Sequence, residues 1–156
     1  MPRFRRRLPA GFTILELMVA VSILLVLATM ALPVAQVKIK RQKEQELRRA
    51  LRDLRTAIDR YKDAADQGLI AVDVDTEGYP PTLEVLVEGV ELAGKPDRLV
   101  RFLRHIPRDP FTNSTQWGMR GVQDSPESRS WNGENVFDVY SRSNGIALDG
   151  TYYADW

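Results

Sequence analysis

The chain has 156 residues, with 22 lysines and arginines against 21 aspartates and glutamates, one histidine and no cysteine. A near-neutral balance argues against a whole-protein basic field for nucleic acid. The lack of cysteine excludes a disulfide staple, a lipoprotein anchor, a thiol nucleophile and a thiolate metal site, and the length beyond the first apolar run suits one small domain.

Residues 1–11 carry Arg3, Arg5, Arg6 and Arg7 and no acid, and the run from Phe12 to Leu32 is apolar apart from Thr13, Glu16, Ser22 and Thr29. At about 1.5 Å per residue the run is long enough to span about 30 Å of hydrocarbon, so residues 12–33 are expected to form a transmembrane helix. A secretory signal has a basic head and an apolar middle as well, cut after a small residue such as Ala31 or Ala35. Glu16 separates the two readings. A carboxylate in an inserted segment costs on the order of 2.5–3.5 kcal/mol near a helix centre, less near its end, and no export signal needs one. A carboxylate snorkelling to the membrane face is the plainer alternative. Cleavage between Gly11 and Phe12 creates an α-amino group, with a reference pKa of about 7.7–8.0, at the depth of Glu16. The natural pairing is with the Phe12 amine of a neighbouring copy. The same cut leaves 18 basic against 21 acidic side chains.

Charge does not orient the segment, because Lys38, Lys40, Arg41 and Lys43 follow it as closely as the four arginines precede it. Beyond Pro33, which should bend or loosen the helix without ending it, residues 34–68 read as an amphipathic helix. Leu47, Leu51, Leu54, Ile58, Tyr61 and Ala65 recur three or four residues apart, and Gly68 marks the end. On the outer face Glu44 with Arg48, Arg49 with Asp53, and Arg55 with Asp59 stand at ion-pair spacing.

Residues 69–156 should make a globular head. Leu69 to Thr82 reads as a loop, Leu83 to Val87 as a short helix stopped by Gly89, and Leu99 to Ile106 as a third short helix before Pro107. Alternation around Trp117 and Met119, and through Val136 to Tyr140, predicts antiparallel strands, with a long polar loop from Gln123 to Asn135 between them. The expected class is α+β, a long N-terminal helix whose second half packs on a small antiparallel sheet.

Nothing in the sequence suggests an enzyme. His105 stands alone at the end of the third predicted helix, which suits capping or packing. Asp73 and Asp75 lie in a loop with nothing apolar to raise a pKa. Arg120, Arg129, Trp131 and Arg142 are the candidates for a nucleic-acid patch, but acids accompany them.

The stretch GFTILELMVAVSILLVLATMALP resembles the N-terminal signature of the type IV pilin and type II secretion pseudopilin superfamily. Gly11 matches the residue before the cut, Phe12 the N-methylated first residue, Glu16 the acidic residue of the mature helix and Pro33 its kink-forming proline. The resemblance implies a prepilin peptidase acting at the cytoplasmic face, an inner-membrane anchor, and a head in the periplasm. It also implies a pilin-like fold and self-association into a helical filament, with Phe12, Glu16 and Pro33 serving assembly. GYPPTLEVLVEG at 78–89, IPRDPFTN at 106–113 and FDVYSRSNGIALDGTYYADW at 137–156 are similar to the G-type major pseudopilin. That likeness implies a structural subunit of the type II secretion pseudopilus, with minor pseudopilins and an inner-membrane secretion platform as partners. The alternative is a minor type IV pilin or a competence pseudopilin. G-type relatives commonly hold calcium in the terminal loop. The matching positions here are Asn144, Asp149 and Asp155, with Ser141 or Ser143 as helpers, although Asn144 stands where an acid is usual.

Overall fold

Continuous apolar sequence followed by a leucine stripe gives one long helix, α1, from Ile14 to Asp66. The computed structural model describes residues 11–156, with the side chains of residues 30–34, 74 and 96 outside that description. The leader, apart from Gly11, therefore lies outside the described residues. So does the side chain of Pro33, although the helix continues through that position. Two compact units divide the chain, one up to Ile39 and one from Lys40 to Trp156.

In the first unit every described side chain from Phe12 to Thr29 is exposed, the apolar ones included. Among the described residues no helix is long and apolar enough to cross a membrane. The expectation of a span over 12–33 falls partly on residues 30–34, outside the description.

In the second unit the predicted stripe is the core. Leu47, Leu54 and Ile58 are fully buried, as are Leu86, Val136 and Val139 from the rest of the unit, and Leu51, Tyr61, Trp117 and Tyr153 are nearly so. Burial of these side chains supplies the main favourable contribution, at about 1.5–3 kcal/mol each. Gly68, at φ 65°, ends the helix in the left-handed conformation, its N–H bonded to the Ala65 carbonyl at 2.9 Å. A loop with one 3₁₀ turn, Val74–Thr76, leads to α2, Leu83–Glu88, which stops at Gly89 as predicted.

The third predicted helix is absent. Its first two residues, Leu99 and Val100, are the end of β2, Lys95–Val100, which pairs antiparallel with β1, Val90–Leu92, across a turn at Gly94, φ 74°, and residues 101–106 form neither helix nor strand. Short apolar recurrences fit either period. Here the turn glycine settles the matter, since the left-handed backbone at Gly94 suits a two-residue hairpin loop that returns the chain against β1. His105 consequently caps no helix and is exposed in the loop that follows.

The predicted strand pair is present as β3, Gly118–Arg120, and β4, Asp138–Tyr140, antiparallel with Gly118 opposite Tyr140. The Tyr140 ring covers Gly118 so closely that a Cβ there would lie 2.2 Å from the ring. The fold is α+β, with two separate two-stranded antiparallel sheets where a single sheet was expected. The polar loop between β3 and β4 is tied down from inside. Fully buried Asn135 accepts the Val122 N–H at 3.0 Å, and its carbonyl accepts the Trp131 indole N–H at 2.6 Å.

Candidate processing and assembly site

Thr13 opens α1. Its hydroxyl oxygen accepts the Glu16 N–H at 3.2 Å and its carbonyl accepts the Leu17 N–H at 3.1 Å, which is the pattern of a helix N-cap. Gly11 and Phe12 therefore stand just outside the helix. Gly11 has nothing within 4 Å of where a Cβ would be, and Phe12 is 82% exposed. Among the described residues nothing packs against Gly11 or covers Phe12, which leaves this position open to a peptidase.

The other polar side chains of this segment are engaged by the helix itself. Ser22 donates to the Met18 carbonyl at 2.7 Å and Thr29 to the Val26 carbonyl at 2.7 Å. Back-bonding of this kind leaves no hydroxyl donor facing outward, which suits an apolar surrounding. Glu16 differs, since its carboxylate has no hydrogen bond or ion pair among the described residues. Its position in the first turn is favourable to the helix dipole, a modest effect of roughly 0.3–1 kcal/mol at an exposed site. Sequence reasoning overlooked Thr13, although Thr-Ile-Leu-Glu is the capping-box spacing that would have found it.

The outer-face ion pairs of the amphipathic half are not those predicted from spacing. Glu44 accepts the Leu148 N–H at 2.8 Å and the Tyr153 hydroxyl at 3.0 Å, while Arg48 reaches Asp149 at 3.4 Å and lies 4.0 Å from the centre of the Trp156 ring. Arg55 donates to Asp138 at 2.7 Å, to the Val139 carbonyl at 3.1 Å and to the Trp156 carbonyl at 2.7 Å. These groups fasten the helix to β4 and the terminal loop. Tertiary partners held by the core prevail over flexible neighbours one turn away, whose pairing is worth only about 0.3–0.5 kcal/mol. Burial beside Glu44 pushes the Tyr153 hydroxyl up to about 12, desolvation first and the carboxylate second.

The candidate calcium residues are differently occupied. Asn144 is exposed. Asp149 Oδ1 accepts the Thr151 hydroxyl at 2.6 Å and the Thr151 N–H at 3.0 Å, which holds its carboxyl below the usual range, and Oδ2 faces Arg48. Asp155 pairs with Arg129 at 3.2 Å. Ser141 donates to buried Asp109 at 2.6 Å, and Ser143 accepts the Gly145 N–H. Among the described residues no group of three or more acidic or histidine side chains is placed to hold a metal ion.

The candidate nucleic-acid residues are partly engaged within the unit, with Trp131 bonded to the Asn135 carbonyl and Arg142 exposed. Arg120 is 9% exposed and bonded to Asp138 and the Ser128 carbonyl, and Arg129 is taken by Asp155.

The family model described as the prokaryotic N-terminal methylation motif matches residues 6–32. No curated protein and no solved structure matches the chain. The chain thus carries a methylation motif of the type IV pilin or prepilin-like kind, and the match contains Gly11, Phe12 and Glu16.

Proposed function

We propose that this chain is a structural, non-catalytic subunit of a type II secretion pseudopilus, made as a prepilin and assembled from the inner membrane into a periplasmic filament. The observation that carries the reading is the methylation motif, with an accessible Gly11–Phe12 bond just ahead of the Thr13 cap and a lone carboxylate at Glu16. Cleavage leaves the Phe12 amine beside the start of the helix. That amine, carried by one copy, neutralises Glu16 of another, while the apolar side chains of 12–29 pack against their equivalents. Assembly then removes this apolar segment from lipid, and the energy for extraction comes from the ATPase of the machine.

The G-type assignment is supported by the likeness of residues 78–89, 106–113 and 137–156. These form the turn and α2, the loop capped by Asp109, and β4 with the terminal loop. The terminal loop is held by Arg48, Arg55 and Arg129, so its melting temperature should be the same in excess calcium and in excess chelator.

Mass spectrometry of the membrane-extracted protein tests the processing, with a methylated Phe12 as the expected N-terminus and an end at Ala31 or Ala35 as the contrary result. Deletion in the native bacterium tests the subunit. Exoprotein secretion should be lost with twitching and DNA uptake retained. The opposite pattern would assign the chain to a minor pilin or competence pseudopilin.

A further inference from the structure

The side of α1 opposite the leucine stripe changes sign along its length. At about 100° per residue, Arg41, Arg48, Arg49 and Arg52 fall on one outward stripe, and so do Asp59, Asp63 and Asp66 further on. All are exposed. Over the wider sequence, residues 38–60 hold nine basic and four acidic side chains, whereas residues 62–97 hold two basic and nine acidic.

The acidic end stands against local preference. A helix C-terminus carries a partial negative charge that favours cations, yet α1 has no basic residue in its last turn. The loop that folds back against it adds Asp73, Asp75 and Glu77, all exposed. Gly78 of that loop lies against Lys62 and Ala65. Lys62, paired with Asp66, is the one cation recorded in an ion pair there. Among the described residues Arg41, Arg49, Arg52, Asp59 and Asp63 enter no ion pair. A local rule broken without local compensation marks a site whose partner lies elsewhere.

We infer that this stripe is a self-docking surface, on which Arg41, Arg49 and Arg52 of one copy face Asp59, Asp63 and Asp66 of a second. The inference rests on the filament reading and names the contact and its polarity. Copies anchored by the same N-terminal segment run parallel. Two parallel stripes bring opposite charges level only when one is displaced along the axis by about 16 residues, or roughly 24 Å. Such a contact uses different patches on the two copies, leaves one of each free, and so continues into an open array. An antiparallel pair would satisfy both patches at once and stop. Opposite charge at each contact and like charge at every unstaggered one sets the stagger as well as the attraction.

The chain has no cysteine, so introduced thiols report cleanly. Full-length chain carrying Gln45→Cys and Asp63→Cys, the second giving up one of the three acidic partners and leaving Asp59 and Asp66 in place, is treated in membranes with a short bis-maleimide. The inference expects a ladder of multimers. It also expects a several-fold loss of ladder when Arg49→Glu and Arg52→Glu are added, and recovery when Asp59→Arg and Asp66→Arg accompany them. Raising salt should lower the yield in parallel. Filaments seen by electron microscopy without a ladder would overturn the contact while leaving the filament reading intact. A cross-linked dimer with no higher species would replace it by the antiparallel pair. Reversal variants that cross-link normally but detach from vesicles of anionic lipid would assign the stripe to lipid instead. Absence of filaments altogether would remove the filament reading and this inference with it.

Discussion

Glu16 sits three residues past the Thr13 cap, so its carboxylate combines a favourable helix position with a cost in apolar surroundings. Glutamine at this position keeps the polar reach of a capping box and removes the charge. Glu16→Gln should therefore still be cleaved at Gly11, with the helix start intact, and should lose at least about tenfold in filament yield, roughly 1.4 kcal/mol per contact. Unchanged assembly would reject the charge pairing. At the other end of the helix contacts, Tyr153 has its hydroxyl raised to about 12 against an ordinary value of 10.0. The unfolded chain ionises first as pH rises. The stabilisation is thus fully present below about pH 10 and is lost between about 10 and 12. The melting temperature should fall across that window, less steeply in Tyr153→Phe.

At the scale of elements, the helix from Lys40 to Asp66 and its leucine stripe are the frame on which the second unit is built. Leu54 is fully buried at its centre. Leu54→Ala should cost about 2–5 kcal/mol in a urea titration, against less than about 0.5 for an exposed change such as Thr56→Ala. This frame was legible because a 3.6-residue period repeated over five turns has no competing explanation. The segment 99–106 was not, because five apolar residues in eight fit a helix or a strand, and only the hairpin turn at Gly94 decides. The charge pairs were misread for a related reason. Spacing records what neighbours on a helix could meet, while Arg48, Arg55 and Glu44 find partners more than eighty residues away in sequence, held in place by the core. The methylation motif was legible because its residues are contiguous in the chain.

For the molecule as a whole, every buried apolar residue of the core among the described residues lies between Leu47 and Ala154, and the compact unit that contains them starts at Lys40. A fragment comprising residues 40–156 should be soluble without detergent and unfold in a single cooperative transition, measurable by circular dichroism. A non-cooperative melt would show that residues 12–39 contribute to the fold. Glu44 and Arg55 give this unit a further property. The stripe Leu47, Leu51, Leu54 and Ile58 repeats closely enough that apolar contact alone would tolerate a slip of one turn, about 5.4 Å, under axial load. The two polar anchors do not repeat. A slip one way puts Asp59 opposite Asp138 and Arg48 opposite the Leu148 N–H, and a slip the other way puts Leu51 and Lys40 in those places. Both displacements set like against like or leave a carboxylate unanswered. A subunit pulled from one end would thus behave as a ratchet tooth with a single seat, passing tension into β4 and the terminal loop without creeping.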